Sequence, residues 1–420
     1  MADDGEQGPG GDAVAHDSTA APPSSGTATA GDPSGWPVTS ESKAAESEVA
    51  PPATSNGPAP SKFRLGNRPP LTGIRALGIA AVLIYHSNFH TLPGSWAMLQ
   101  VFFVLSGFLI TAMLAGEGQR NGRISLKGFY SRRVVRLGPP LLLTVGLLAI
   151  YASLVHVADA SQRVWGDSAA ALFYYADYRQ AFGHAPFFGY LAQTWSLSVE
   201  EQFYIIWSVL MVTAVALHRR RLAYVFAVVG IAISVSDRLW LVYRAPHFNN
   251  ALFTRVYYAF DSRADAILLG CLLGLLANDG YLSRWKPWAI RMAAFAAMAS
   301  TAFMAWVLFY APLFTEALAV WWLPLTTLAC ASVLVYFVVS PEGIGSRIVG
   351  ISFLVFVGDL SYTLYLVHFP VDLALEPNGT SWPSWVTQVV RLAIIFAIAI
   401  ASWYLMERPL MRWRQRSAAR

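Results

Sequence analysis

The stretch TWSLSVEEQFYIIWSVL, residues 194–210, sets two adjacent carboxylates, Glu200 and Glu201, at the mouth of a long apolar helix. A carboxylate left unpaired in hydrocarbon costs about 2.5 to 3.5 kcal/mol on insertion scales. A helix bound for lipid must therefore hold or use at least one of the two acids.

Composition sets the solvent for that helix. Of 420 residues, 55% are hydrophobic and only 13% are charged, which excludes an ordinary water-soluble domain and implies a polytopic membrane protein. The net charge of +5 does not point to nucleic acid, because the arginines fall in short clusters between apolar runs, as the positive-inside rule requires. Cys271 and Cys330 lie within apolar segments, without the spacing of a metal site or a disulfide framework. No metal is expected.

Residues 1–62 are rich in Ala, Gly, Pro, Ser and Thr and bury too little apolar area to offset their conformational entropy, so they are expected to be disordered, with His16 solvated. Their acidic start lacks the apolar core of a signal peptide. The membrane domain is expected over 63–412, with a basic tail at 413–420.

From residue 71 onward, ten runs approach the length needed to cross about 30 Å of hydrocarbon. They are 71–89, 96–115, 138–157, 197–217, 222–243, 256–277, 288–310, 319–339, 350–371 and 387–407. The fold class is therefore an all-α integral-membrane bundle of about ten transmembrane helices. With a cytoplasmic N-terminus, NGRISLKGFYSRRVVR, HRRRL, SRWKPW and the C-terminal RPLMRWRQRSAAR all fall on the cytoplasmic side. Residues 167–182 read as a non-spanning or re-entrant stretch, since an eleventh span there would export HRRR.

Topology then constrains chemistry. In the first helix, Arg75 near the start and His86 near the outer end are eleven residues apart, nearly on one face and about 16 Å apart along the axis. An intramembrane His is a functional candidate, although a histidine bonded to a backbone carbonyl is a common packing element. Ser198 and Glu201 fit a capping box at the helix start, which leaves Glu200 to face the bundle interior and meet His86. A histidine with a carboxylate partner suffices to take a proton from a hydroxyl. In FYSRRVVRLGPP, Arg132, Arg133 and Arg136 gather guanidiniums on one helical face before Pro139 and Pro140 reset the chain. Such forks suit phosphate, and equally the headgroups of anionic lipid.

These residues together resemble the membrane-bound acyltransferase 3 family, which moves acyl groups, often acetyl from acetyl-CoA, onto hydroxyls of sugars, polysaccharides and some natural products. The likeness covers about residues 68–412. LTGIRALGIAAVLIYH, VFFVLSGFLIT, FYSRRVVRLGPP, TWSLSVEEQFYIIW, DSRADAILLGCLLG and LSYTLYLVHFP follow one another in the family's order. The resemblance implies that His86 is the catalytic histidine and Glu200 its acidic partner. It further implies that Arg75, Arg132, Arg133, Arg136 and Arg263 bind the donor, and that the donor is acyl-CoA, in particular acetyl-CoA.

Two positions depart from the family's pattern. Thr72-Gly73 stands where Asp-Gly is frequent, and Gln100 stands where an Asp often precedes the Phe pair. Any orienting role of that Asp falls here on Glu200. A Leu-Thr-Gly start also occurs in the branch that includes macrolide acyltransferases, which keeps a glycosylated small molecule open beside polysaccharide as acceptor.

Arg263 and Asp265 also read as a pair that merely stabilises the bundle, and His368, before Pro370, as a structural hydrogen bond at a helix end. The aromatics, Trp195, Trp207 and Trp403 among them, suit packing or interfacial belts. No SGNH hydrolase segment is expected after ERPL. The expected protein is a multi-pass enzyme of the cell membrane, both termini cytoplasmic. Its partners are the lipid bilayer, acyl-CoA and a hydroxyl-bearing carbohydrate or glycosylated small molecule, with no nucleic acid. Direct transfer and an acyl-enzyme relay both fit the sequence. The rival class is a transporter or exporter without covalent chemistry, for which paired halves with matching Gly/Pro breaks are expected and not found.

Overall fold

The computed structural model describes residues 66, 68–87, 92–154, 160–183, 189–375 and 383–418. The expected disordered segment 1–62, with His16, lies outside the described residues. All regular structure among the described residues is helical. The chain opens with α1 (Pro69–Ser87), α2 (Met98–Asn121) and α3 (Leu126–Leu154), followed by the short α4 (Ala160–Leu172) and α5 (Ala176–Phe182). Then come α6 (Trp195–Ala216), α7 (Arg221–Arg244), α8 (Asn250–Tyr258), α9 (Phe260–Asn278) and α10 (Pro287–Tyr310). The chain continues through α11 (Leu323–Val339), α12 (Ile344–Val349), α13 (Ser352–Ala374), α14 (Ser384–Ser402) and α15 (Arg408–Ala418).

Eight helices are long and apolar enough to cross a membrane, and the chain is a multi-pass membrane protein. Two of the ten expected spans fall outside those eight, namely α1 and α9, each of 19 residues. At about 1.5 Å per residue they still approach the hydrocarbon thickness. Their polar residues set them apart: Arg75 and His86 in α1, and Asp261, Arg263 and Asp265 in α9. At 13 and 7 residues, α4 and α5 are too short to span, as expected for 167–182.

The start of α3 differs from the sequence reading. α3 begins at Leu126 and runs unbroken through the arginine cluster, with Pro139 and Pro140 inside it. The prolines remove two N–H donors, and a neighbouring helix joins the altered turn: the Tyr362 hydroxyl donates to the Leu137 carbonyl at 3.1 Å.

The bundle has a buried centre and a lipid-facing rim. In α2, 72% of the most apolar stretch is buried, against 22% in α7 and α10, so α2 is central and the other two are peripheral. α2 packs on α9 almost backbone to backbone. A Cβ on Gly107 would meet the Ile267 carbonyl oxygen at 1.9 Å, and one on Gly270 the Val104 carbonyl oxygen at 2.0 Å. Hydrocarbon offers no hydrophobic drive between helices, so close van der Waals approach over small residues holds them together.

Two apolar cores result. One is built largely from α2, α6, α9 and α11, with Phe108, Trp207, Ile267 and Leu334 buried in it. The other is built largely from α1, α3, α13 and α14, around Ile79, Leu141, Leu364 and Ile395. Within the second core α1 and α13 run side by side in the same direction. The Thr72 carbonyl lies against Gly358 at one end, and the rings of His86 and His368 meet at the other.

The packing makes two predictions. Gly270→Ala, with no room for its methyl, should lower the melting temperature in detergent by several degrees, whereas Gly146→Ala in α3, where a Cβ meets nothing within 4 Å, should be neutral or stabilising. In α5, burial pushes the Asp177 carboxyl up to about 6 from its ordinary 3.8. Its Oδ1 accepts from Gln202 Nε2 at 2.9 Å. The folded state holds this proton more tightly than the unfolded chain, so its contribution to stability falls as pH rises from about 4 to about 6. Asp177→Asn should therefore raise the melting temperature at pH 7.5, with the gain vanishing near pH 4.

Candidate active site

A cavity of about 170 Å³ lies between the two cores. α2 gives it apolar walls, including Leu99, Phe102, Phe103 and Met113, whereas α1, α3 and α6 contribute Arg75, Arg133, Arg136, Glu200 and Tyr204. Three guanidiniums against one carboxylate leave the lining net basic.

The arrangement follows from α3 and α6 running antiparallel. Tyr130 meets Ser208 at 3.0 Å, and one turn further along α3 Arg133 reaches Glu201 with Nε at 2.8 Å and Nη2 at 2.5 Å. The Arg133 guanidinium also stacks 3.7 Å from the centroid of the Tyr204 ring. Glu201 is thus an ion-pair partner, and the expected capping box does not form. α6 starts at Trp195, and Ser198 sits inside it. The Ser198 hydroxyl donates to the Thr194 carbonyl at 3.2 Å and accepts the Ala176 N–H at 3.1 Å.

Glu200 accepts hydrogen bonds from Ser106 at 3.0 Å and Tyr204 at 3.2 Å. The structure does not bring it to His86. α6 is entered from the buried stretch Leu191, Gln193 and Thr194, so its first turns lie within the bundle, and Glu200 shares the cavity with Arg75 instead.

Arg75 and Arg136 make no hydrogen bond or ion pair among the described residues, although both line the cavity. Asp359 and Glu407 act on the Arg136 charge from beyond ion-pair reach. Glu407 sits in a π-helical turn, Trp403–Glu407, and its Oε1 accepts from Thr363 at 2.7 Å and Ser402 at 2.9 Å. The basic cluster is therefore divided: Arg133 and Arg136 turn to the cavity, while Arg132 turns to Glu117 at 3.5 Å.

Beyond the charged floor comes a hydroxyl layer. Tyr365, which lines the cavity, contacts the Ser196 hydroxyl at 2.7 Å and donates to the Gln193 carbonyl at 2.6 Å. Next to it lie the imidazoles, with Tyr365 and His368 centroids 5.5 Å apart and His368 and His86 centroids 4.9 Å apart. His86 Nδ1 lies 2.9 Å from the Val82 carbonyl. A carbonyl only accepts, so in the neutral ring Nδ1 carries the proton and Nε2 presents the lone pair.

Arg263 lies outside the cavity. Its guanidinium sits between the rings of Phe103, Trp195 and Tyr257, 5.0 to 5.8 Å from their centroids, and Nη2 donates to Gln100 Oε1 at 3.4 Å. The expected Arg263–Asp265 pair is replaced by Arg238–Asp265 at 2.9 Å, because α7 presents Arg238 to that face of α9. Trp195 and Trp207 are buried packing residues. Ser106, Tyr204 and Tyr365 line the cavity and are residues that the sequence reading missed. Tyr204 was within reach of it, since a residue four beyond Glu200 faces the same way on a helix.

Fold and site define an integral-membrane helical protein enclosing a net-basic chamber, with a histidine pair one layer beyond it. Residues 70–408 match the family described as an acyltransferase domain, and the chain belongs to that acyltransferase 3 family. Peptidoglycan O-acetyltransferase OatA of Listeria monocytogenes is 28% identical over 357 residues, 82% of this chain and 56% of the relative. O-acetyltransferase OatA of Staphylococcus aureus is 28% identical over 378 residues, 82% of this chain and 57% of the relative. The chain thus spans somewhat over half the length of these curated relatives. No solved structure matches.

The ion pair generates a prediction opposite to that of a capping box. Glu201→Gln leaves Arg133 without its counter-charge in a partly buried site, which costs about 1 to 3 kcal/mol. The variant should melt several degrees lower than the wild type in detergent, and Arg133→Gln/Glu201→Gln should recover part of the loss.

Proposed function

We propose that this chain is an integral-membrane O-acetyltransferase, drawing acetyl from acetyl-CoA and delivering it to a hydroxyl of a carbohydrate-type acceptor. The observation that carries the reading is the pair of guanidiniums, Arg75 and Arg136, facing a cavity without hydrogen bonds among the described residues. Buried donors of that strength suit an anionic ligand, and phosphate is the anion whose geometry a guanidinium fork fits.

The distance from anchors to base supports the coenzyme thioester. Arg75 and His86 lie about 16 Å apart along α1, so the donor must carry its charge at one end and its acyl group at the far end of a thin arm. In the proposed topology both termini are cytoplasmic, and coenzyme A enters from that side. Its phosphates meet Arg75 and Arg136, with Arg133 held ready by Glu201, and its thioester passes the Tyr365 layer to His86.

His86 Nε2 takes the proton of the acceptor hydroxyl while the oxygen attacks the thioester carbonyl. The Val82 carbonyl, holding Nδ1–H, fixes the tautomer that leaves Nε2 as the base. Glu200, tied to Ser106 and Tyr204, is assigned the balancing of the arginine charge at the cavity floor. Positioning the two reactants out of water supplies much of the barrier reduction. The relatives' names favour a cell-wall glycan among hydroxyl acceptors, and a glycosylated small molecule satisfies the same chemistry.

The test is acetyl transfer from acetyl-CoA by purified full-length protein to a panel of sugars, glycan fragments and glycosylated small molecules. His86→Ala should lower kcat about 10²- to 10⁴-fold. Arg75→Ala and Arg136→Ala should each raise the acetyl-CoA KM about 10- to 100-fold, the worth of a hydrogen bond to a charged group. Arg132→Ala and Arg263→Ala should leave that KM within about twofold. Unchanged donor KM in both cavity variants would remove the phosphate assignment.

A further inference from the structure

His368 is buried completely, with 0% of its surface exposed. Its Nδ1 lies 2.7 Å from the Tyr365 carbonyl one turn back on α13, which assigns the ring proton to Nδ1 by the same logic as in His86. Nε2 is left as a bare lone pair, buried and without a hydrogen-bond partner. Buried acceptors are nearly always satisfied, and an exception calls for a reason. A purely packing position in this apolar neighbourhood, beside Phe369, would be filled more favourably by phenylalanine or leucine, which carry no polar atom to desolvate.

The neighbour supplies the reason. The parallel pairing of α1 and α13 sets the His368 ring edge-on to His86 with centroids 4.9 Å apart, while Phe369 and Tyr85 close on the His86 ring from other sides at 5.3 and 5.1 Å. While His86 is neutral, its Nε2 is an acceptor too, and two acceptors cannot bond. Once His86 takes a proton its Nε2–H becomes a charged donor, and the adjoining His368 ring carries an acceptor that has no partner among the described residues.

Resting on the reading of His86 as the base, we infer that His368 is a positioning residue of the transfer step, whose Nε2 accepts from His86 only in the protonated state. In the reaction the acceptor O–H bond breaks and its proton moves to His86 Nε2. The oxygen bonds to the acyl carbon, the C–S bond breaks, and the thiolate of coenzyme A leaves, collecting the proton from His86. His368 itself neither gains nor loses a proton. Because the single Nε2–H of His86 is shared between the reacting atom and His368 Nε2 only from proton uptake to proton return, this second acceptor stabilises the transition state without stabilising the substrate complex, and so acts on kcat and not on KM.

The experiment uses purified full-length protein with acetyl-CoA and the best acceptor from the panel, measuring kcat, both KM values and the melting temperature. His368→Met removes the acceptor with a side chain of similar reach, whereas His368→Gln restores an acceptor oxygen near the position of Nε2. The Met variant should lose about 10²-fold in kcat, with both KM values within about twofold of wild type. The Gln variant should recover to within about tenfold of wild type.

A folded Met variant with wild-type kcat overturns the inference, and so does a Gln variant no better than Met. If the Met variant fails to fold, the Gln variant decides: folded with kcat within about tenfold of wild type it upholds the role, and folded but about 10²-fold or more down it overturns it. Replacement of His86 by Ala separates the two levels of argument. Transfer surviving in His86→Ala refutes the underlying reading of the base, whereas loss in His86→Ala with full rate in His368→Met refutes only the role of His368.

Discussion

Hydrocarbon cannot solvate a guanidinium, and that constraint governs this bundle more than any single contact. α3 carries Arg132, Arg133 and Arg136 along the lower part of a spanning helix, each costly if turned to lipid. The helix resolves the cost by directing Arg133 to Glu201, Arg132 to Glu117 and Arg136 to an internal cavity. Arg238, buried at 1% exposure, is satisfied through Asp265 and the carbonyls of Ala319 and Ser262. What distinguishes Arg75 and Arg136 is that the cavity stands where their partners would be. The chemistry proposed for the protein grows from that gap.

The histidines differ from the arginines in kind. Each is held by a carbonyl of its own helix, Val82 for His86 and Tyr365 for His368. Among the described residues neither ring meets a carboxylate, although the sequence suggested Glu200 for His86. The acid at Glu200 works in the charged floor instead, a layer of hydroxyls away. Glu200 and the histidine pair therefore lie at opposite ends of the hydroxyl layer, which suits the proposed donor, whose charge and reactive group are far apart.

Much of the fold was legible from residue order, and the reason is local. Apolar runs of sufficient length and arginine clusters between them define helices and spans without tertiary information, and only α1 and α9 blurred the count, because their polar residues offset their apolar ones. The start of α6 was misread because Ser198 and Glu201 mimic a capping box, while the hydroxyl and the carboxylate are used by Ala176 and by Arg133, 68 residues away. Long-range pairing of that sort leaves no trace in spacing. The same holds for Arg238 displacing Arg263 as the partner of Asp265. His368 was read as a structural hydrogen bond at a helix end, whereas it lies within α13, and its proximity to His86 depends on α1 and α13 lying parallel.

The two apolar cores meet along the cavity, and this has a mechanical consequence. On one side the glycines of α2 and α9 lock two backbones together with nothing compressible between them, so that half behaves as a rigid block. On the other, α1 and α13 form a second block with its own interior. The surface between the blocks is the compliant one, since it is already interrupted by void and polar groups. A small shear there widens the chamber without opening either close-packed interior to lipid. For the proposed donor, admission and release would then need only sliding at this seam, which Arg75, Arg133, Arg136 and Glu200 line.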